Sequence, residues 1–395
     1  SVESRGLGDV YKRQLFGYIQ KYVIYLFMDK YGYVMDISKH MQTKLSFDSN
    51  VYQQLSQQLS LLDIFKGSWK IKESQQGQYL KELRKIATIE STGSSTRIEG
   101  SKLTDEEVEK LLSSVKITRF ESRDLQEVAG YYDALEVILD NYADIEISER
   151  YVHQLHGILL KHSEKDKPHR GNYKQSSNRV VANYPDGSQR VLFDPTSPHL
   201  TPVEMQQLIE WLNERIEKKD MHPLVFIAGF VYEFLSIHPY KDGNGRLSRL
   251  LTTLLMMKQG YEFIQYVSFE NVIESSKDEY YRVLMDGQQN RYKDEERISS
   301  WVLYFMQCLI TLTERLDAKY ETYSKLKTAL NKRQQQVLDY VRENEPIQIG
   351  EIEKVLKESR NTLKKDLAYL VKEKLLLKTG DRKGTRYHIL KKEDT

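Results

Sequence analysis

Apolar positions recur at helical spacing over most of this chain. In "QQGQYLKELRKIATIE", Leu80, Leu83, Ile86, Ala87 and Ile89 return mostly at steps of three, the mark of a helix with one face turned to a core. On this pattern the chain from about Ser46 to Lys116 reads as mainly helical. "LTDEEVEKLL" opens with Thr104 and places Glu107 three residues on, a capping box. Two more helices are predicted in "SRDLQEVAGYYDALEVILDNY" and "SERYVHQLHGILLKH". The texture then changes. "RVVAN" and "QRVLF" flank "YPDG" in a stretch rich in Gly, Pro, Asn and Ser, which predicts a β-hairpin turning near Pro185-Asp186-Gly187.

Helices resume at "TPVEMQQLIEWLNERI". The segment 223–237, "PLVFIAGFVYEFLSI", is apolar on nearly every side and is expected as a buried helix. In 244–260, "NGRLSRLLTTLLMMKQG", Leu247, Leu251, Leu254 and Leu255 form one stripe and Gly260 supplies a C-terminal cap. Residues 332–395 have a pattern of their own. Helices are predicted in "RQQQVLDYVREN", "IQIGEIEKVLK" and "SRNTLKKDLAYLVKEK", the last with Leu363, Leu367, Leu370 and Val371 turned inward. "LLLKTGDRKGTRYHIL" then gives two short strands around a Gly/Asp turn. Three helices followed by a hairpin resemble a winged helix.

Composition narrows the class. The 395 residues are 29% charged and 39% hydrophobic with a net charge of +2, so any basic surface must be local. The single cysteine, Cys308 in "WVLYFMQCLITL", excludes an internal disulfide framework and a cysteine-rich zinc site. It reads as a buried core thiol, in a reducing, cytoplasmic compartment. Near the N-terminus, Lys21, Asp29 and Lys30 interrupt an apolar stretch, and the uncharged run "YVIYLFM" is too short to span a bilayer. No membrane partner is therefore expected, and no signal peptide is visible. "SVESRGLGDVYKRQ" reads as a cloning or read-assembly scar and Met41 as a plausible native start, so residues 1–40 are set aside as a doubtful extension.

The densest chemistry lies in "HPYKDGNGRLSR", His238–Arg249, between the two core helices. Gly243-Asn244-Gly245 stand where the second helix begins. There the backbone N–H groups are unpaired and partially positive, and glycines let an anion approach, which makes a phosphate nest. Arg246 and Arg249, three apart, share a helix face and suit a polyphosphate. Asp242 supplies a carboxylate, and one carboxylate plus phosphate oxygens can hold Mg²⁺. His238, neutral, could take a proton from an attacking hydroxyl. Singly, each residue also fits a solvated loop whose arginines pair with nearby acids. The full set at this spacing favours phosphate.

These residues resemble the signature of the Fic family (Fic/Fido fold), His-x-Phe-x-Asp/Glu-Gly-Asn-Gly/Lys-Arg-x-x-Arg, with Tyr240 in the usual Phe place. "MHPLVFIAGFVYEFLSIHP" and "ENVIESSKDEYYRVL" are also similar to family sequence, and the likeness covers roughly residues 85–290. The resemblance implies a mainly α fold, a Fic-type helical bundle with a β-hairpin flap, joined here to the C-terminal winged helix (α+β). It implies transfer of AMP from ATP to a Tyr, Ser or Thr hydroxyl of a target protein. His238 would be the general base and Asp242 the Mg²⁺ ligand. Gly243, Asn244, Gly245, Arg246 and Arg249 would bind the phosphates. The flap 178–193, with Val180 and Val181, would dock the target segment by strand addition. Tyr280 and Tyr281 match a position near the nucleotide base, and simple packing against a helix is the alternative. Tyr240 adds a hydroxyl that needs a partner. Gly245 stands where the kinase-like Doc branch carries Lys, which favours nucleotidyl transfer over phosphorylation.

Upstream, "SSTRIEG" resembles the family's inhibitory signature through Ser95, Glu99 and Gly100. Glu99 could pair with Arg249 and take the place of the γ-phosphate. A plain helix end with a solvated Glu is the alternative. In some members the same Glu helps remove AMP, so de-AMPylation stays open, as does transfer of another phosphate-linked group. The family often dimerises, which leaves a homodimer open as well. The expected partition is 41–120 helical with the inhibitory helix, 121–290 catalytic, 291–331 connecting helices and 332–395 winged helix.

Residues 332–395 hold sixteen Lys/Arg against eleven Asp/Glu. Arg360, Asn361, Lys364 and Lys365 fall away from the leucine stripe, and Arg382 and Lys383 fall at the wing tip, which suits phosphate contact. Winged helices also bind proteins. The competing reading is therefore a DNA-binding regulator whose Fic domain senses nucleotide.

Overall fold

Residues 223–237, apolar all round in sequence, form a helix in which every residue from Leu224 to Ile237 is buried. The computed structural model describes residues 37–74, 77–113, 120, 122–178, 180–183, 189–293, 295–373 and 375–390. The chain divides into two compact units, Ser1–Glu314 and Arg315–Thr395. In chain order the first contains α1 (Ile37–Lys44), α2 (Ser49–Glu73), α3 (Gly77–Ile98), α4 (Asp105–Ser113), α5 (Arg123–Asn141) and α6 (Glu149–Leu159). The antiparallel hairpin β1 (Val180–Asn183) and β2 (Gln189–Phe193) follows, then α7 (Thr201–Lys218), α8 (Pro223–Ile237), α9 (Asn244–Lys258), α10 (Phe269–Ser275) and α11 (Lys277–Gln288). Helix α12 (Ser299–Ala329) leads on to α13 (Lys332–Asn344), α14 (Ile349–Leu356), α15 (Arg360–Lys372), β3 (Leu376–Thr379) and β4 (Arg386–Ile389). No helix among the described residues is long and apolar enough to cross a membrane.

Local signals set the helix starts. Thr104 and Glu107 close the predicted capping box, with Thr104 N–H donating to Glu107 Oε2 at 2.9 Å and Glu107 N–H to Thr104 Oγ1 at 3.3 Å. Ser122 and Ser148 cap α5 and α6 one way only, their hydroxyls accepting from Leu125 N–H and Tyr151 N–H. Gly260, φ +78°, lies just past α9 as expected. On α3, Leu80, Leu83 and Ala87 are buried, but Ile86 is exposed. Ile86 lies roughly a quarter turn from the centre of the stripe that the other three form, so a step of three does not by itself place a residue inside.

Helix α8 packs between α7 and α9. Its middle carries the one acid of the segment, Glu233, which is fully buried. Lys44 Nζ reaches Glu233 at 2.6 Å and Glu296 at 3.2 Å. Arg291 reaches Glu233 at 2.8 Å and Glu204 at 3.0 Å. Burial pushes the Glu233 carboxyl up, but the Arg291 and Lys44 charges outweigh it and hold the group ionised. Removing one member of such a network strands its partner, at a cost of about 3–5 kcal/mol. The network ties α1 to the central helix. Helix α1 begins four residues before Met41, and Ile37 is buried within it.

The second unit, taken by itself, is the expected winged helix. Leu363, Leu367 and Leu370 of α15 pack on Val337, Leu338 and Val341 of α13 and on Ile352 of α14. Strands β3 and β4 pair antiparallel, Leu376 opposite Ile389, and a bridge from Ile347 to Tyr387 widens the sheet. Arg360, Asn361, Lys364 and Lys365 are exposed on α15, and Arg382 is exposed between the strands. The side chain of Lys383 lies outside the described residues. The mainly α fold with a hairpin, plus a winged helix, is therefore the architecture found.

Candidate functional site

The site is built where α8 stops and α9 starts. His238 ends α8 in the left-handed conformation, φ 52°, and its N–H donates to Phe234 O at 2.9 Å. The chain then turns through Pro239–Gly243 and starts α9 with Gly243 at φ +81°, a conformation that favours glycine. No side chain caps the first turn of α9. Its N–H groups thus lack a side-chain acceptor, as a cradle for an anion would require.

The turn is held from several sides. Asn244 Oδ1 accepts from Tyr240 N–H at 2.9 Å, and its Nδ2 donates to Tyr240 O at 2.7 Å. The Asn244 side chain is thus engaged with the turn, and what it offers a phosphate is its backbone. Asn178 Nδ2 also donates to Tyr240 O, at 2.8 Å. The Tyr240 hydroxyl finds the partner it needs in His153 Nδ1, at 3.0 Å. Its ring stacks on His156, centroids 3.8 Å apart.

His156 fixes the turn through both ring nitrogens. Gly171 N–H donates to Nδ1 at 2.9 Å, which places the proton of the neutral ring on Nε2, and Nε2 then donates to Asp242 O at 3.0 Å. Burial pushes His156 down to about 4, so the ring stays neutral near pH 7. Lys174 adds a further tie, its N–H donating to Pro239 O at 2.9 Å and its Nζ to Ile237 O at 3.0 Å.

His238 itself faces Leu235 O through Nδ1 at 3.4 Å, which leaves Nε2 as the acceptor nitrogen. Burial, and next the charge of Lys174, push it down to about 4. It is therefore an unprotonated base at neutral pH.

Asp242 sits in a closed ring of charges. Its Oδ1 accepts from Gly243 N–H at 2.6 Å and from Arg246 Nη2 at 3.0 Å, and its Oδ2 from Arg123 Nη2 at 2.7 Å. Arg123 Nε donates to Glu127 Oε1 at 2.6 Å, and Glu127 Oε2 returns to Arg246 Nη1 at 3.2 Å. Burial raises the Asp242 carboxyl, but the charge of Arg246, the Gly243 N–H and the charge of Arg123 together hold it below the usual range. Among the described residues no group of three or more His, Cys, Asp and Glu forms a metal cage. Asp242 alone suits a cation that takes its other ligands from phosphate and water, as Mg²⁺ does.

Arg249 is buried and grips the segment that carries Ser95 and Glu99. Its Nε donates to Ser95 Oγ at 2.8 Å, and its Nη2 donates to Ser95 O at 2.9 Å and to Glu99 Oε1 at 2.8 Å. Burial alone would raise the Glu99 carboxyl, but Arg249 and then Arg246 hold it below its ordinary value. Glu99 lies just past the end of α3, where Gly100 turns the chain at φ +109°. A Cβ on Gly245 would collide with Glu99 Oε1, so the carboxylate rests directly on the cradle. Arg249 Nη1 and Arg246 Nε are buried without a hydrogen-bond acceptor. Unsatisfied cationic donors beside a helix N-terminus are what a phosphate group would complete.

The structure thus brings His238, Asp242, Gly243, Asn244, Gly245, Arg246, Arg249, Ser95 and Glu99 together. Tyr280 is placed differently: it is buried, with its ring against Trp301 at 5.7 Å and Tyr304 at 6.4 Å. Its ring packs in the core, while its hydroxyl neighbours Arg249, with which it lines a small cavity. Tyr281 meets it edge-on at 5.1 Å and is only half-buried. Val180 and Val181 lie on β1, opposite Phe193 and Val191, with an irregularity in register between them. Their side chains, and the turn at 185–187, lie outside the described residues.

Sequence reasoning did not find Arg123, Glu127, His156, Lys174 or Asn178. Arg123 and Asp242 are 119 positions apart, and no spacing rule links them.

The model of the Fic/DOC family matches residues 146–256, and that of the DeoR-like helix-turn-helix domain matches 333–381. The protein adenylyltransferase Fic of Drosophila willistoni is 29% identical over 184 residues, 46% of this chain and 34% of that protein. The protein of the same name from Drosophila virilis is 28% identical, over 46% of this chain and 35% of its own length. The chain therefore spans about a third of the length of these curated relatives. Among solved structures, a Fic family protein from Desulfovibrio desulfuricans G20 superposes with a TM-score of 0.59 at 20% identity, covering 87% of this chain and 97% of that one. A Fic domain containing signaling protein from Bacteroides thetaiotaomicron VPI-5482 gives 0.53 at 23% identity, covering 66% and 94%. At these identities the likeness is one of fold.

Proposed function

The chain carries a Fic/DOC domain and a C-terminal DeoR-like helix-turn-helix domain, and from that premise we propose that it is a protein adenylyltransferase held inactive by Glu99. The observation that carries this reading is the Arg249–Glu99 pair at 2.8 Å, set on the anion cradle that His238 borders. The curated relatives named above bear the same activity in their names.

The chemistry follows from the residues in place. The target hydroxyl oxygen attacks the α-phosphorus of ATP, and His238 Nε2 takes the hydroxyl proton. The bond from the α-phosphorus to the bridging oxygen breaks and pyrophosphate leaves. A neutral His238 suits the base role, since a protonated ring could not accept. The α9 N–H groups with Arg246 and Arg249 bind the phosphates, pre-set and partly dehydrated. Asp242 would hold Mg²⁺, which when bound neutralises phosphate charge. Glu99 competes with the terminal phosphate for Arg249 Nη2. With Glu99 in place, ATP can be held only in a pose that leaves the α-phosphorus away from the attack line. The hairpin β1–β2 is the strand edge on which a target segment would align. Loss of label transfer from α-labelled ATP in a Glu99→Gly, His238→Ala double variant tests the reading, and persistence of transfer would refute it.

A second reading concerns residues 333–381. The exposed Arg360, Asn361, Lys364 and Lys365 share one face of α15, the face that a recognition helix turns to DNA. We propose that this unit binds a DNA duplex and addresses the enzyme to it. A gel shift that is lost at high salt and after deletion of 332–395 would support it, and the absence of any shift at low salt would refute it.

A further inference from the structure

We propose that Arg123 is an intramolecular competitor for the divalent cation at Asp242, and that it sets the affinity of the site for the metal. The inference rests on the reading of Asp242 as the metal-holding carboxylate.

The two oxygens of Asp242 are not equivalent. Oδ1 is committed to groups of its own helix start, Gly243 N–H and Arg246 Nη2. Arg246 is 1% exposed and tied again to Glu127, so it cannot withdraw. Oδ2 is bound instead by Arg123 Nη2, a group from the first turn of α5 whose side chain is 48% exposed. The carboxylate is itself 30% exposed, and the mobile partner on it is the one at Oδ2. Oδ2 is therefore the oxygen that a cation can take, and it is already neutralised by a guanidinium. Two positive charges cannot share that oxygen at contact distance without strong repulsion. One must leave, and Arg123 has somewhere to go. Its Nε is anchored on Glu127 Oε1 at 2.6 Å, one turn along the same helix. It can swing off Asp242 while keeping that partner.

The ring thus acts as a stand-in for the metal. Without a cation it keeps Asp242 ionised and oriented. With nucleotide phosphates adding their negative charge, the balance shifts to the divalent ion. Metal alone should bind poorly, and metal with nucleotide well. Glu99 blocks only the terminal-phosphate position, so ADP is a suitable probe on the chain as it stands.

The test is calorimetric titration of the 395-residue chain with ADP, with and without Mn²⁺. The ratio of the two affinities isolates the contribution of the metal from any direct effect of Arg123 on phosphate. Arg123→Gln is expected to raise that ratio roughly two- to fivefold, the range that an exposed ion pair commands. Arg123→Lys, which keeps the charge but cannot span two carboxylates, is expected to fall between. Asp242→Asn is expected to collapse the ratio. If Asp242→Asn leaves the ratio intact, Asp242 does not hold the metal, and this inference falls with that reading. If Asp242→Asn collapses it while folded Arg123→Gln and Arg123→Lys leave it unchanged or lower, Asp242 keeps its role and the competition by Arg123 is overturned.

Discussion

Arg249 Nη2 lies 2.8 Å from Glu99 Oε1, across 150 positions of sequence. The arginine is buried and the carboxylate is about one-third exposed. The arginine therefore stays where it is when the acid leaves, and its other donors hold the carbonyl and hydroxyl of Ser95. The anion on Arg249 Nη2 is exchangeable and the cation is not. That asymmetry is what a latch at a phosphate site requires, and on the proposed reading the position of α3 would set whether the site is open.

The latch should be visible in stability as well as activity. A Cβ on Gly245 collides with Glu99 Oε1. Gly245→Ala should therefore destabilise the wild-type chain and do so less in a Glu99→Gly background. A coupling of about 1 kcal/mol is expected for residues in contact. Urea unfolding of the four chains measures it, and strict additivity would place Glu99 elsewhere.

His238 is pushed down to about 4 by burial and by Lys174. As the base it must be neutral, so activity is lost only as pH falls through that value. Transfer by the Glu99→Gly chain should stay level from pH 8 through 6.5 and decline only on approach to pH 4. An acid limb near 6.5, the ordinary histidine value, would show that His238 is not held as described.

Tyr240→Phe removes the hydroxyl bonded to His153 at 3.0 Å but keeps the stack on His156. The loss should be about 0.5–1.5 kcal/mol of stability, with transfer activity retained. A tenfold fall in activity would assign the hydroxyl a part in the reaction.

His156 makes folding sensitive to acid. Its folded value is about 4 against an ordinary 6.5, so between these the unfolded chain binds a proton that the folded one refuses. Stability therefore falls as pH drops from 6.5 toward 4, by about 3 kcal/mol for this group. His156→Asn is expected to be less stable than wild type at pH 7, because Gly171 N–H and Asp242 O lose their ring partner. The gap should narrow toward pH 4. A constant gap in denaturant midpoints would contradict the neutral, doubly bonded ring.

Much of this was legible in the sequence, and for definable reasons. The cap pair Thr104–Glu107, the leucine stripes of α9 and α15, and the glycines at the start of α9 are local features, and local spacing reports them. The pairing of Glu99 with Arg249 was reached through a family resemblance, since nothing in 150 intervening positions encodes a distance. The charge ring of Arg123, Glu127, Arg246 and Asp242 and the buried cluster of Lys44, Glu233, Arg291 and Glu204 had no such guide. They join ordinary-looking charged residues from segments far apart in sequence, and only packing brings those segments together. For Tyr280 the sequence left two readings open, a place near the nucleotide base and packing against a helix, and its buried ring lies against Trp301.

The most direct test compares wild type with Glu99→Gly by self-labelling with α-labelled ATP and Mg²⁺, at matched concentration and with folding verified. Release of Arg249 predicts a rise in labelling of at least about tenfold, as expected for the loss of a competing charge-assisted contact worth about 1.5–3 kcal/mol. Equal labelling of the two folded chains would contradict the latch.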